Sequence, residues 1–245
     1  MRLNRVYVSA PLVSGAPAVL SGDAANHIGR VLRLRPGDPL TLFDGHGGEY
    51  AAKVNEIQGA KVIVQVGEHR AVERESKLHI TLLQGIARGD RMDTIVQKAT
   101  ELGVARIVPV MTERSVVKLS SHNAHRKHAH WLAIAIAASE QCGRNRLVEL
   151  TQPQTVADAI SRECAPDSRC LMLEPDAAST LLTAAERVGS LTLLIGPEGG
   201  LSSLESDIAT RAGFTPCRLG PRILRTETAS LAAIAALQAI AGDFA

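Results

Sequence analysis

Residues 191–238 read LTLLIGPEGGLSSLESDIATRAGFTPCRLGPRILRTETASLAAIAALQ, and this stretch decides the fold. Residues 191–195 form a short apolar run that stops at Gly196-Pro197-Glu198-Gly199-Gly200. A run of that length ending in Gly-Pro predicts a buried parallel strand followed by a tight loop. Ser202 or Ser203 is placed to cap the next helix, and Glu205 and Asp207 put negative charge in its first turns. Arg211-Ala212-Gly213 ends that helix, and residues 215–219 are long enough for another strand. A second Gly-Pro loop follows, Gly220-Pro221-Arg222-Ile223-Leu224-Arg225. Thr226 is placed to cap a last helix whose apolar face carries Leu231, Ile234, Leu237 and Ala241.

Two strand–loop–helix units therefore stand side by side. Ligands of open α/β sheets bind just beyond the carboxyl ends of the strands, so tandem loops are a wall for one small ligand. The alternative is two ordinary connections, with glycine serving only backbone shape. A phosphate ligand is disfavoured, because the first loop carries Glu198 where a phosphate loop wants free N–H groups and a lysine. Neither G-x-G-x-x-G nor G-x-x-x-x-G-K-[ST] occurs, which also argues against a nucleotide-dependent oxidoreductase.

Working outward, the chain has 245 residues, enough for one large or two small domains. It is 45% apolar and 21% charged, as a soluble globular protein is, and the 2% aromatic content leaves the core to Leu, Ile, Val and Ala. Residues 1–70 hold short strand candidates at 6–8, 40–43, 49–54 and 61–66, separated by Pro36-Gly37-Asp38 and Asp44-Gly45 turns. A helix is expected over 24–34. Several short strands in so few residues predict a small barrel. Residues 70–77, RAVERESK, read as a linker.

From Leu78 the rhythm changes to alternating strands and helices. Strands are expected at 79–83, 106–110, 147–150, 170–173 and 191–195. Asp90 is placed to cap a helix carrying Met92, Ile95, Val96, Ala99 and Leu102, with Gly103 as its stop. Ser120 or Ser121 opens a long helix to about Gln141, and shorter helices are expected near 155–164 and 178–188. Repeated β-α units imply a largely parallel sheet covered on both faces.

The net charge of +2 does not point to nucleic acid, but its distribution does. Arg2, Arg5, Arg30, Arg33 and Arg35 face only Asp23 in the first 36 residues. Local basic patches of this kind bind phosphates, although solvated faces with acids close in space fit the same counts. Cys142, Cys164, Cys170 and Cys217 lack C-x-x-C spacing, and reduced thiols are expected in a chain of this size. No segment resembles a signal peptide or reaches membrane-span length, so the expected compartment is the cytoplasm. His122, His125, His128 and His130 have helical i, i+3 spacing, but Arg126-Lys127 repel a cation. A polar helix face is favoured there over a metal site, and no metal is expected.

IGPEGGLSSLE followed by LGPRILRTETASLAAIAALQ resembles the signature of the SPOUT-class RNA methyltransferases, and within them the RsmE family. HIGRVLRLRPGD, IVQKATELGVARIVPVMTERSVVK and AASEQCGRNR are similar to the same family in the same order, so the resemblance spans essentially the whole chain. It implies an α/β fold in two domains. A PUA-like, RNA-binding β-barrel would occupy residues 1–72. A SPOUT-like methyltransferase domain with a parallel sheet and a C-terminal trefoil knot would occupy residues 73–245. It also implies a homodimer and S-adenosylmethionine-dependent methylation of uridine N3 in 16S ribosomal RNA, either naked or in the assembled small subunit.

On that resemblance Leu173, Gly196, Pro197, Gly199, Gly200, Leu219, Gly220, Pro221, Ile223, Leu224 and Thr226 are expected to hold the cofactor. Arg2, Arg5, Arg30 and Arg33 are expected to bind RNA. Arg225 is the candidate for the uracil oxygens or phosphate. Glu198 is an electrostatic partner of the sulfonium, a substrate contact, or an acceptor for its own loop's N–H groups. Attack by N3 needs no covalent help, so Cys142 is expected to be inert. The competing reading is a ribosome-assembly module that binds RNA without catalysis.

Overall fold

The structure, a computed structural model, describes residues 4–115, 120–164, 169–185 and 189–244. The chain divides into two compact units, one of residues 1–75 with 136–147 and one of 76–135 with 148–245. That the first unit takes in a segment from the middle of the chain is not visible in the sequence.

The first unit contains β1 (Arg5–Tyr7), β2 (Pro17–Leu20), α1 (Gly22–Asn26) continued by a wider π-type turn (His27–Leu32), β3 (Pro39–Phe43), β4 (Glu49–Gln58) and β5 (Lys61–Arg70). They form a five-stranded sheet in the order β1-β3-β4-β5-β2, antiparallel except for the β1–β3 pair. Val6, Ile28, Leu42, Val54 and Val64 fill its core. β4 and β5 run further than their apolar pattern suggests. Residues 55–58 of β4 and 68–70 of β5 are exposed, so no alternation marks these ends. β2 starts at a proline and sits on the sheet edge, where only Leu20 is buried, which is why composition alone does not reveal it.

One RNA-binding expectation changes here. Arg2 lies outside the described residues. Arg5 is buried at 3% exposure and is therefore a structural residue rather than a phosphate contact. Its Nη1 lies 2.6 Å from Glu49 Oε2, its Nη2 donates to Asn145 Oδ1 at 2.6 Å and to the Arg144 carbonyl at 3.0 Å, and its guanidinium sits 4.8 Å from the Phe43 ring centroid. Burying a guanidinium is tolerable only with such pairing. Arg30 and Arg33 are exposed, and Arg33 holds a left-handed backbone at φ 55°.

The second unit contains β6 (His79–Gly85), α2 (Asp90–Glu101), β7 (Arg106–Met111), α3 (Ser121–Cys142), β8 (Glu149–Leu150), β9 (Gln154–Thr155), α4 (Val156–Glu163), β10 (Arg169–Leu173), α5 (Leu181–Ala184), β11 (Ser190–Ile195), α6 (Ser203–Arg211), β12 (Thr215–Cys217) and α7 (Thr226–Ala241). The last turns of α3 count with the first unit. The sheet order is β12-β10-β11-β6-β7-β8, with β9 also paired to β7, and every pairing is parallel. Successive residues of β6 serve opposite faces. Leu82 packs in the core under α2, α5 and α7, while Leu83 packs in the core under α4 and α6. Residues 186–188 of the expected 178–188 helix lie outside the described residues.

Cys164 and Cys170 form a disulfide, with their Cα atoms 6.4 Å apart, which corrects the expectation of four reduced thiols. Cys142 and Cys217 are free.

Burial pushes the Glu49 carboxyl up, but the hydrogen bond and charge of Arg5, joined by Arg74, outweigh it and hold its pKa below the usual carboxylate value. A depressed carboxylate pKa stabilises the fold above the unfolded-state value, and that contribution disappears as pH falls through the folded-state value. Arg5→Ala should therefore cost about 3 kcal/mol in urea denaturation at pH 7. The gap to wild type should narrow in the acid range, where Glu49 is protonated in both proteins. A gap that is the same at both pH values would assign the loss to packing instead.

Candidate active site

Beyond the carboxyl ends of β10, β11 and β12 the second unit encloses a cavity of about 670 Å³. Its wall comes from three successive strand ends. Leu173, Glu174 and Pro175 follow β10, residues 195–201 follow β11, and residues 217–226 follow β12. Arg91 of α2 and Arg114, after β7, complete it. Of the residues expected in the site, Leu173, Gly196, Pro197, Glu198, Gly199, Gly200, Leu219, Gly220, Ile223, Leu224, Arg225 and Thr226 all line this cavity. Pro221 is exposed and is not among the lining residues. Arg222, within the second expected loop, lines it too, as do Arg91, Arg114, Glu174, Cys217 and Arg218, which were not expected from the sequence.

The loop after β11 is held by its backbone. Gly200 N–H donates to the Pro197 carbonyl at 2.9 Å, and Gly200 has φ +68°, a conformation that suits glycine. Gly85 at the end of β6 lies against this loop so closely that a Cβ there would sit 2.5 Å from Pro197 N. Ser202 then caps α6, accepting from Glu205 N–H at 3.3 Å while Ser202 N–H donates to Glu205 Oε2 at 2.8 Å.

Thr226 does not cap α7. The cap position is Arg225, which makes no side-chain capping bond. The Thr226 hydroxyl instead donates to the Gly196 carbonyl at 2.7 Å and accepts from Gln84 Nε2 at 3.1 Å. One hydroxyl thus ties the two Gly-Pro loops to each other and to the central strand.

Glu198 accepts its own backbone N–H, as one of the expected roles has it, and also reaches towards α2. Its Oε1 accepts from Arg88 N–H at 3.0 Å and from Arg91 Nη1 at 2.6 Å. Arg91 Nε also lies 3.7 Å from Glu227 Oε1 in the first turn of α7. Burial raises the Glu198 pKa, but the Arg88 N–H, the Arg91 guanidinium and its own backbone N–H outweigh it and keep the carboxyl below its usual value. Arg218 is occupied by the carbonyls of Ala177 and Ala178. Arg222 and Arg225, both exposed, make no ion pair among the described residues. The rim is therefore cationic. The floor, with Leu173, Ile195, Cys217, Leu219 and Ala229, is mostly apolar.

The histidine stretch on α3 lies apart from this cavity. His130 Nε2 is 2.8 Å from Asp93 Oδ2, and His128 Nε2 is 2.9 Å from the Leu150 carbonyl. Trp131 Nε1 donates to the other Asp93 oxygen at 3.1 Å. These imidazoles serve to seat α3.

Arg91→Met should free Glu198, and its carboxyl pKa should rise towards the usual value in an NMR titration. The wild-type carboxylate should stay ionised well into the acid range and release its hold on Arg91 only as pH falls through its lowered pKa. An unmoved titration in the variant would show that the backbone N–H groups of Arg88 and Glu198 set it.

The RNA methyltransferase domain family matches residues 74–238, and the RNA methyltransferase PUA domain family matches residues 20–67. The ribosomal RNA small subunit methyltransferase E of Buchnera aphidicola from Schizaphis graminum is 34% identical over 242 residues, covering 99% of this chain and 98% of its own. The Bacillus subtilis protein of the same name is 32% identical over 226 residues, covering 89% and 88%. Among solved structures, a putative methyltransferase from Legionella pneumophila in complex with S-adenosylmethionine superposes with a TM-score of 0.94 at 40% identity, covering all of both chains. The Neisseria gonorrhoeae ribosomal RNA small subunit methyltransferase E bound to S-adenosyl methionine gives 0.91 at 37% identity, covering 99% of this chain and 100% of its own. The chain belongs to the ribosomal RNA small subunit methyltransferase E family.

Proposed function

We propose that this protein transfers a methyl group from S-adenosylmethionine to N3 of a uridine in 16S ribosomal RNA. The observation that carries this reading is the cavity at three parallel strand ends, with an apolar floor, a backbone-lined wall and two unpaired arginines on its rim. A cavity of about 670 Å³ lies within the range of about 300–1,000 Å³ usual for cofactor-sized ligands. The backbone of residues 196–200, 219–220 and 222–224, which line the cavity, suits the edge of an adenine, and Leu173, Leu219 and Leu224 suit its faces. When bound there, S-adenosylmethionine supplies an electrophilic methyl group on a sulfonium.

The chain's own task is positioning and charge. N3 of uridine carries an imide proton that must pass to solvent as the nitrogen attacks. Negative charge then develops on the uracil, and the unpaired Arg225 guanidinium is placed to stabilise it. Glu198, already bonded to Arg91, acts here by fixing the loop and not as a free base. The reading includes an RNA-binding role for residues 1–72 through Arg30 and Arg33. It also includes a methyltransferase role for residues 73–245, the C-terminal trefoil knot, a homodimer, a cytoplasmic location, and 16S RNA, either naked or in the assembled small subunit, as substrate.

The assay is nucleoside mass spectrometry of 16S RNA, naked and in small subunits, after incubation with protein and S-adenosylmethionine. N3-methyluridine is expected. A different methylated nucleoside would overturn the assignment of N3, and RNA binding without any methylation would favour the assembly-module reading. Arg225→Ala should lower turnover on the order of 100-fold, with near-normal melting and cofactor affinity, and the loss should ease at higher pH as the imide ionises unaided. Turnover that falls only in step with cofactor affinity would make Arg225 structural. Replacing Arg30 and Arg33 together should weaken RNA binding and flatten the salt dependence by roughly 1.5 in log–log slope, leaving cofactor affinity unchanged. An unaltered slope would place the RNA elsewhere.

A further inference from the structure

Glu205 performs more than its capping function. It is only 7% exposed, and each of its two oxygens accepts a different backbone N–H. Oε2 takes Ser202 N–H at 2.8 Å, which completes the capping box of α6. Oε1 takes Glu113 N–H at 2.8 Å, from a separate segment that follows β7. A capping box needs only the first of these bonds.

The segment so held is the turn 112–115. Ser115 N–H donates to the Thr112 carbonyl at 3.2 Å, and Ser115 Oγ donates to the Ile86 carbonyl at 3.1 Å. Thr112 and Ser115 are buried, and Glu113 and Arg114 form the outward tip. That tip lies on the loop after β11. Arg114 Nη1 donates to the Gly199 carbonyl at 3.3 Å, and a Cβ added to Gly199 would lie 3.1 Å from Arg114 Cβ.

We propose that Glu205 is a positioning residue for the cavity: its carboxylate clamps the Glu113–Arg114 turn onto Gly199 and so fixes the loop wall that faces the cofactor. This rests on the reading of the cavity as the S-adenosylmethionine site. The chemistry requires a carboxylate. Two N–H donors arrive on two oxygens, whereas an amide has one acceptor oxygen and would turn its own NH₂ towards the other donor. Glu205→Gln keeps the Ser202 hydroxyl cap on α6 and loses one of the two grips.

The test is a double-mutant cycle on the full-length protein, with S-adenosylmethionine affinity read by calorimetry. Glu205→Gln and Arg114→Ala should each weaken binding about tenfold, the scale of one charge-assisted hydrogen bond. The double variant should be little weaker than either single one, because both changes release the same turn. Losses that multiply would overturn the proposal, and so would a lowered Tm with unchanged affinity in Glu205→Gln. If Glu205→Gln does not fold, Arg114→Ala decides alone, and normal affinity in it would overturn the clamp. Wild-type protein that binds no S-adenosylmethionine would overturn the cofactor reading and this proposal with it. Tight wild-type binding with multiplying losses would overturn this proposal only.

Discussion

The amide of Gln84 is the interaction on which the site's geometry depends. It sits at the end of the central strand, fully buried, with Nε2 bonded to Thr226 Oγ1 at 3.1 Å and Oε1 accepting from Ser230 Oγ at 2.6 Å. Thr226 passes the connection on to the Gly196 carbonyl. A buried amide is costly unless bonded on both ends, and a saturated chain of this kind admits one arrangement of its members. α7 needs such a constraint. Its sequence TETASLAAIAALQAIA is mostly small and apolar, and hydrophobic burial has no direction with which to set a register. At its far end Gln238 plays the matching part, donating to the Leu102 carbonyl at 2.8 Å and accepting from Ser76 Oγ at 2.6 Å. Two buried glutamines, one on the helix and one opposite it, thus fix where the last helix lies along the sheet.

With α7 fixed, the charges around the cavity sort by whether they have partners. Glu198 and Glu227 converge on Arg91, and Arg114 and Arg218 spend donors on backbone carbonyls. These groups build the wall. Arg222 and Arg225, on the connection between β12 and α7, are left to face solvent at the rim. A guanidinium without an internal partner keeps its donors for an incoming anion, and its field raises the local concentration of one. Placing both on the segment that Thr226 anchors puts them on a firm support.

The sequence revealed what is local and hid what is long-range. Buried parallel strands show as apolar runs, so β6, β7, β10 and β11 were legible from residues 79–83, 106–110, 170–173 and 191–195. Ser202 was legible as a cap because its capping partner lies within three residues. The Gly-Pro loops announced the site for the same reason. Arg5 was misread because its partners Glu49 and Asn145 are 44 and 140 residues away, and a basic stretch looks the same whether its arginines point outward or inward. Glu198 meets Arg91 across 107 residues, and the Thr226 hydroxyl meets Gly196 across 30, so neither role can be deduced from spacing. The seating of residues 136–147 in the first unit is long-range in the same sense. AASEQCGRNR resembles the family motif without saying what its side chains touch.

A thiol in the cavity floor raises a chemical question that burial answers. Cys217 lines the cavity and is free, and an exposed thiolate would be the strongest nucleophile within reach of any electrophile bound there. Its surroundings remove it from the reaction. The side chain is fully buried, and desolvation pushes its pKa up to about 11. At pH 7 only about one such thiol in ten thousand is ionised, a reactive fraction some hundredfold smaller than that of an ordinary exposed cysteine. A fully buried neutral thiol of this kind packs like a small hydrophobe. In the proposed reaction the site must offer the methyl group to one nitrogen and to nothing else. Keeping Cys217 neutral in the floor while leaving Arg225 charged at the rim favours ionisation of the substrate over ionisation of the protein.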